Sequence, residues 1–94
     1  MGKTARERPR RLAEKLKQIR EGLGLSQNEM LVRLGLKGKL SRTAISGYEL
    51  GTSEPTLPTL LKYSRLAGVH MEVLVDDKLD LPKDRKSTGN RITH

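Results

Sequence analysis

The feature that most constrains the fold is a succession of short apolar segments with helical spacing, separated by glycine-containing turns. In the first segment, Leu12, Leu16 and Ile19 recur about once per helical turn, which predicts an amphipathic helix over residues 9–22. Pro9 suits the first turn of this helix, where no backbone N–H needs a partner. Because the later segments have the same character, we expect an all-α chain, folded as a compact bundle of five short helices.

The second helix is marked at its start by a capping box. Ser26 is followed three residues later by Glu29, and in this pattern each side chain bonds the other residue's backbone amide. Gly35 suits the end of the helix, because glycine adopts the left-handed conformation there without a steric cost. The residues between supply an apolar face: Met30, Leu31 and Leu34.

The third helix combines an apolar face with a small polar one. Its sequence is SRTAISGYEL, with Ser41 or Thr43 as the cap and Gly51 at the end. Ile45 and Tyr48 are expected to point inward, since they lie three residues apart. Short side chains on the opposite face let a helix approach another surface closely. Four residues form that face: Arg42, Thr43, Ser46 and Gly47.

Two further helices complete the bundle. The fourth is predicted to begin near Thr56 or Leu57, after Pro55, and to end at Gly68. The fifth, HMEVLV, is one or two turns long. The residues that the fourth helix is expected to bury are Leu57, Leu60, Leu61, part of Tyr63, and Leu66.

The chain is strongly basic, and the excess of charge lies at its start. The formal net charge is +8, which favours phosphate-rich or other anionic partners. Residues 1–20 contain eight basic and two acidic residues, a net charge of +6. We expect residues 1–8 to form a flexible basic arm, with a solvated tail and contact with an acidic membrane surface as alternatives. Residues 9–77 are expected to form the domain, and 78–94 an extension that is mostly flexible from Pro82.

In their order and spacing these segments resemble the helix-turn-helix DNA-binding domains of the phage repressor and Cro type, the XRE-like transcriptional regulators. The resemblance covers about residues 12–76 and rests on LKQIREGLGLSQNEM, then RLG, SRTAISGYELG and EPTLPTLLKYSRLAGVHMEVLV. It implies a lambda-repressor-like bundle in which the second and third helices form the helix-turn-helix. The third helix would then enter the major groove of DNA.

The resemblance also implies roles for single residues. Gln27 matches a glutamine that meets a phosphate and braces the third helix. Arg20 and Glu49 match a partly buried salt bridge between the first helix and the end of the third. We favour this structural role over a DNA contact, because a carboxylate in apolar surroundings needs a cationic partner. The expected DNA-binding residues on the third helix are Ser41, Arg42, Thr43, Ser46 and Gly47.

The chain departs from the family pattern mainly between the two helices of the motif. LKGKL, residues 36–40, makes the turn about four residues longer than the usual one. Leu31 stands where the family has a small alanine, and Leu50 where it has asparagine. We expect Lys37 and Lys39 in the longer turn to contact phosphates, with a solvated loop as the alternative.

The sequence lacks the residues that several other functions would require. The absence of cysteine excludes disulfides and cysteine–zinc sites, and His70 and His94 are not at metal-ligand spacing. No serine has a credible histidine base, so we expect no enzymatic activity, cofactor, metal or small-molecule effector. No apolar run suits a signal peptide or a membrane span. A cytoplasmic, prokaryotic, nucleoid-associated protein is therefore expected.

The expected function is that of a sequence-specific, double-stranded DNA-binding transcriptional regulator, a repressor that binds an inverted-repeat operator as a homodimer. The alternative is a protein-interaction module, such as an antitoxin-like partner that neutralises another protein, since such proteins share this fold. The dimer contact is expected at the fifth helix and the alternating segment after it, where residues 76–82 should be ordered. Six apolar residues would supply it: Met71, Val73, Leu74, Val75, Leu79 and Leu81.

Overall fold

Five α-helices make up most of the computed structural model, which describes residues 9–82. Within that range there is no β-strand, only an isolated bridge between Lys37 and Leu40. The expected all-α bundle is therefore confirmed, whereas the arm at residues 1–8 and the segment 83–94 lie outside the described residues. The helices are α1 (Leu12–Gly22), α2 (Gln27–Arg33), α3 (Arg42–Leu50), α4 (Leu57–Ala67) and α5 (Met71–Val75).

Helix α1 is the central element of the bundle. It packs against both α3 and α5, while α2 packs on α3 and α4 packs on α5. Leu16 and Ile19 of α1, with Ile45 of α3 and Leu74 of α5, have no exposed surface. Burying one such aliphatic side chain stabilises the fold by about 1.5–3 kcal/mol. The apolar stripe read from the sequence thus packs α1 against α3 and α5.

The start of α1 differs from the prediction. The helix begins at Leu12 rather than at residue 9, and Pro9 and Arg10 precede it. Arg11 occupies the N-cap position without a side-chain capping bond. The backbone amides of Arg10 and Arg11 instead donate to the carboxylate of Asp77, each over 3.0 Å. A distant residue thus holds the two residues before the helix, and no local capping pattern marks its start.

The start of α2 is as predicted. The Ser26 hydroxyl accepts a hydrogen bond from the Glu29 amide over 3.0 Å, and the Ser26 amide donates to the Glu29 carboxylate over 2.7 Å. The bond from the Ser26 amide to the ionised carboxylate, with the Ser26 hydroxyl as a second contributor, holds the pKa of Glu29 below its usual value. Gly35, at φ +75°, follows the end of the helix. The capping box is therefore confirmed, with both of its hydrogen bonds present.

Helices α3 and α4 correct two expectations. Ser41 is the N-cap of α3, but its side chain makes no capping bond, so only the position was right. Leu57 was expected to be buried, yet 71% of it is exposed. The buried face of α4 is centred on Leu60 and Tyr63, and Leu57 lies about a quarter of a turn away from that centre. The start of α4 itself is set by Thr56, whose hydroxyl accepts from the Thr59 amide.

Candidate nucleic-acid interface

One face of α3 is exposed along most of its length. Arg42 and Thr43 are exposed and Ser46 is half-buried, while Ile45 and Tyr48 on the opposite side are buried. The inward residues fix the rotation of the helix about its axis, because turning it would expose apolar surface. We call Arg42, Thr43 and Ser46 the reading face. Its arginine can donate a fork of hydrogen bonds, and its hydroxyls can both donate and accept.

Gly47 has a structural reason to lack a side chain. A Cβ atom there would lie 2.7 Å from the Ser53 hydroxyl and 3.3 Å from the Thr52 hydroxyl. The carbonyl of Gly47 also accepts hydrogen bonds from the amides of Thr52 and Ser53. The chain after α3 therefore folds back onto this residue. No sequence pattern indicates this packing, and a DNA contact by Gly47 remains a prediction.

The structure brings Arg20 and Glu49 together in a partly buried ion pair. Arg20 Nε donates to Glu49 Oε2 over 2.7 Å and Nη2 donates to Oε1 over 3.0 Å. The remaining nitrogen, Nη1, donates to the carbonyl of Leu25 over 2.8 Å. Chiefly because of the hydrogen bonds to Glu49, the pKa of Arg20 is raised above its ordinary value. With 15% and 4% of the two side chains exposed, both charges depend on this pairing.

Gln27 joins the same network from the first turn of α2. Its Nε2 donates to Glu49 Oε1 over 3.2 Å. The network therefore links α1, α2 and α3, which fixes the placement of the two helices that precede and carry the reading face. The side-chain carbonyl of Gln27 can only accept hydrogen bonds. A phosphate contact by Gln27 would use its amide nitrogen or backbone, and it remains a prediction.

The long turn between α2 and α3 is anchored at Leu36. Leu36 is buried, and its amide donates to the carbonyl of Leu31 over 2.8 Å. Its own carbonyl accepts from the amides of Lys39 and Leu40 at 2.9 and 3.0 Å. Gly38 adopts φ +88°, where only glycine is unstrained. The extra residues therefore form a closed turn with Lys37 exposed beside Gly38.

Three of the eight basic residues among residues 1–20 make contacts within the folded domain. Lys15 is completely buried, Arg20 pairs with Glu49, and Arg11 forms ion pairs with Glu14 and Asp80. Lys15 follows Leu12 by three residues and so lies on the same helix face, which is the one sequence signal of its burial. Among the described residues up to 20, the exposed cations are Arg10 and Lys17.

The residues expected to form a dimer contact divide into two groups. Leu74 and Leu81 lie in the core of the chain itself, so they are not available to a second copy without unfolding. Val75 is 38% exposed, and the other three are half-buried: Met71, Val73 and Leu79. Leu81 is buried although it lies beyond residue 77, the expected end of the domain.

Two negative findings concern the described part of the chain. Between residues 9 and 82, no helix has the length and apolar character needed to cross a membrane. In the same range, no three residues of the metal-ligating acidic, histidine or cysteine types come together as a metal site.

A short helix, an intervening turn and a second helix with an outward polar face together define a helix-turn-helix domain. The helix-turn-helix family model matches residues 16–74. The chain belongs to this family, and the XRE-like resemblance drawn from the sequence is confirmed.

Two curated relatives come from Bacillus subtilis (strain 168). The chain is 39% identical over 62 residues, 66% of its length and 54% of the relative's, to the SPbeta prophage-derived uncharacterized HTH-type transcriptional regulator YonR. It is 35% identical over 63 residues, 67% of its length and 51% of the relative's, to the uncharacterized HTH-type transcriptional regulator YqaE. The chain thus spans about half the length of these relatives. No solved structure matches it significantly.

Proposed function

We propose that the chain is a DNA-binding transcriptional regulator. The observation that carries this proposal is the reading face of α3, which presents Arg42 and Thr43 outward while a partly buried ion pair holds the helix against α1. Two relatives are named as HTH-type transcriptional regulators, which supports the same class. The net charge of +8 favours a polyanionic partner.

The finer proposal is that the protein represses by binding an inverted-repeat operator, with α3 in the major groove of each half-site. An arginine can bond O6 and N7 of guanine together, and a threonine methyl can contact thymine. The hydroxyls of Ser41 and Ser46 offer further polar contacts. Lys37 and Lys39, both exposed, would contact phosphates, which contribute affinity without sequence preference.

The deciding experiment is selection of bound duplexes from a random pool with the full chain. We expect a recurring motif of two short half-sites in inverted orientation, because one short helix reads only a few base pairs. Enrichment of a single half-site would support DNA binding but contradict the dimer. No enrichment would overturn sequence-specific binding and favour the protein-interaction alternative.

A dimer is proposed to form through the surface of α5 and the segment after it. Val75 would lie at its centre, with the half-buried Met71, Val73 and Leu79 around it. Sedimentation of the free protein and of its complex with the selected duplex tests this. A monomer in both states at micromolar concentration would contradict it, and Val75→Asp should weaken any dimer that forms.

A further inference from the structure

Leu50, the last residue of α3, is a large apolar side chain with 73% of its surface exposed. At about 100° of rotation per residue, it lies about 20° from Thr43 and about 40° from Ser46 around the helix axis. The buried residues of the helix, Ile45 and Tyr48, lie on the opposite side. Leu50 therefore continues the line of the reading face, and turning it into the core would expose the buried side of α3.

The backbone of Leu50 is held from both sides. Before it, the Glu49 carboxylate accepts hydrogen bonds from Arg20 over 2.7 and 3.0 Å. After it, Gly51 adopts φ +79°, and the Gly51 amide donates to the carbonyl of Tyr48 over 3.3 Å. The exposure of Leu50 thus follows from the way in which α3 is packed against the rest of the domain.

A leucine at this place has one kind of apolar partner in the major groove. The C5-methyl of thymine is apolar, whereas the other groups that base pairs present there are hydrogen-bond donors or acceptors. A leucine side chain has no donor for a phosphate or a base edge. Burying one methyl-sized apolar group increases affinity about fourfold. Since leucine stands where the family pattern has asparagine, this apolar surface is a feature of the present chain.

We propose that Leu50 is a specificity-determining residue, which selects a thymine in each half-site through contact with its C5-methyl group. The inference rests on the proposed function, in which α3 lies in the major groove. A rise of about 1.5 Å per residue places Leu50 about 10 Å along the helix axis from Thr43. Because neighbouring base pairs are about 3.4 Å apart, the thymine lies about three base pairs from the base that faces Thr43.

Replacing single thymines of the selected duplex with uracil tests this contact, because uracil lacks only the C5-methyl and still pairs with adenine. For the wild-type chain, we expect uracil at one position per half-site to weaken binding about three- to fivefold. In Leu50→Ala, the same replacement should leave the affinity unchanged. Leu50→Met keeps an apolar side chain and should retain the dependence on the methyl group.

Leu57→Ala is the matched control, since Leu57 is 71% exposed but belongs to α4. It should show the full wild-type effect of uracil. The salt dependence separates a base contact from a phosphate contact. Leu50→Ala should keep the log–log salt slope of the wild type, whereas Lys39→Ala should flatten it by about one per half-site. Circular dichroism at the temperature of the binding measurements checks that each variant is folded.

Several results would overturn the role of Leu50 while leaving the proposed function intact. They are a selected half-site without thymine, an effect of uracil that persists in Leu50→Ala, and an effect that Leu57→Ala also abolishes. If Leu50→Ala bound every duplex as the wild type does, the leucine would not contact DNA, and a protein partner would better explain its exposure. If the wild-type chain enriched no duplex, the proposed function and the role of Leu50 would fail together.

Discussion

Arg20 of α1 and Glu49 of α3, 29 positions apart in the chain, form a two-point ion pair with N–O distances of 2.7 and 3.0 Å. In this arrangement the planar guanidinium donates two parallel hydrogen bonds to the two oxygens of one carboxylate. Since Glu49 also accepts from Gln27 of α2, one carboxylate connects three helices. The orientation of the reading face thus depends on the Glu49 carboxylate, and removing it would leave the Arg20 guanidinium without its counter-charge.

Replacing Glu49 with alanine should lower the free energy of unfolding by about 3 kcal/mol, because it leaves the Arg20 guanidinium without its counter-charge in a mostly buried place. Urea denaturation followed by circular dichroism measures the loss. The exposed Glu72→Ala is the control and should change stability little. Equal effects of the two substitutions would contradict a structural role for the pair.

Replacing Arg42 with alanine should weaken binding to the preferred duplex by about 1–3 kcal/mol and relax the preference at one base position per half-site. Lys39→Ala should instead weaken all duplexes alike, because phosphate contacts carry no sequence information. Competition against a panel of duplexes with single changes measures both effects. If Arg42→Ala ranked the duplexes as the wild type does, α3 would not be the reading helix.

The long turn should depend on its buried anchor and its glycine. Leu36→Ala should lower the free energy of unfolding by about 2–4 kcal/mol through loss of burial and the cavity left behind. Gly38→Ala should cost about 1 kcal/mol, since φ +88° strains a residue with a Cβ. The exposed Lys37→Ala serves as the control. A turn that tolerated all three equally would not be packed as described.

Tyr63 offers an unusual test of burial. Its hydroxyl is the buried side-chain polar atom without a hydrogen-bond partner among the described residues, and burial raises its pKa far above the ordinary value. Tyr63→Phe should leave the free energy of unfolding unchanged or raise it by about 1 kcal/mol, because the phenyl ring needs no partner. Tyr63→Ala should cost about 3–5 kcal/mol through the cavity. Destabilisation by Tyr63→Phe in thermal melts would reveal a partner for the hydroxyl.

Acid should destabilise the protein partly through Asp77. Hydrogen bonds from the amides of Arg10 and Arg11 hold its pKa below the ordinary value, so the unfolded chain binds a proton more readily than the folded one. Stability is then lost as the pH falls from about 4 through the lowered pKa. Asp77→Asn should flatten this part of the dependence of melting temperature on pH, whereas an unaltered profile would argue against these hydrogen bonds.

Short-range patterns determined much of the fold. The capping box of Ser26 and Glu29 joins residues three apart, and the glycines that follow α3 and α4 adopt the left-handed conformation there. The inward residues of α3, Ile45 and Tyr48, follow from helical spacing alone. Each of these features depends on contacts within about one helical turn, which a sequence displays directly.

Only the tertiary structure decided how Asp77 and Lys15 connect α1 to the end of the domain. It also decided that Leu57 is exposed and how Gly47 is packed. Lys15 looks like a surface charge in the sequence, yet its ammonium is buried and donates to the carbonyls of Val73 in α5 and of Asp76 just after it. Asp77 accepts hydrogen bonds from the amides of Arg10 and Arg11, more than 60 residues earlier in the chain. The partners of these groups are distant in the chain, so their energies depend on how the helices pack. Local spacing determines where a helix forms and which face is apolar, but desolvation and hydrogen bonding between helices decide which polar groups the core accepts.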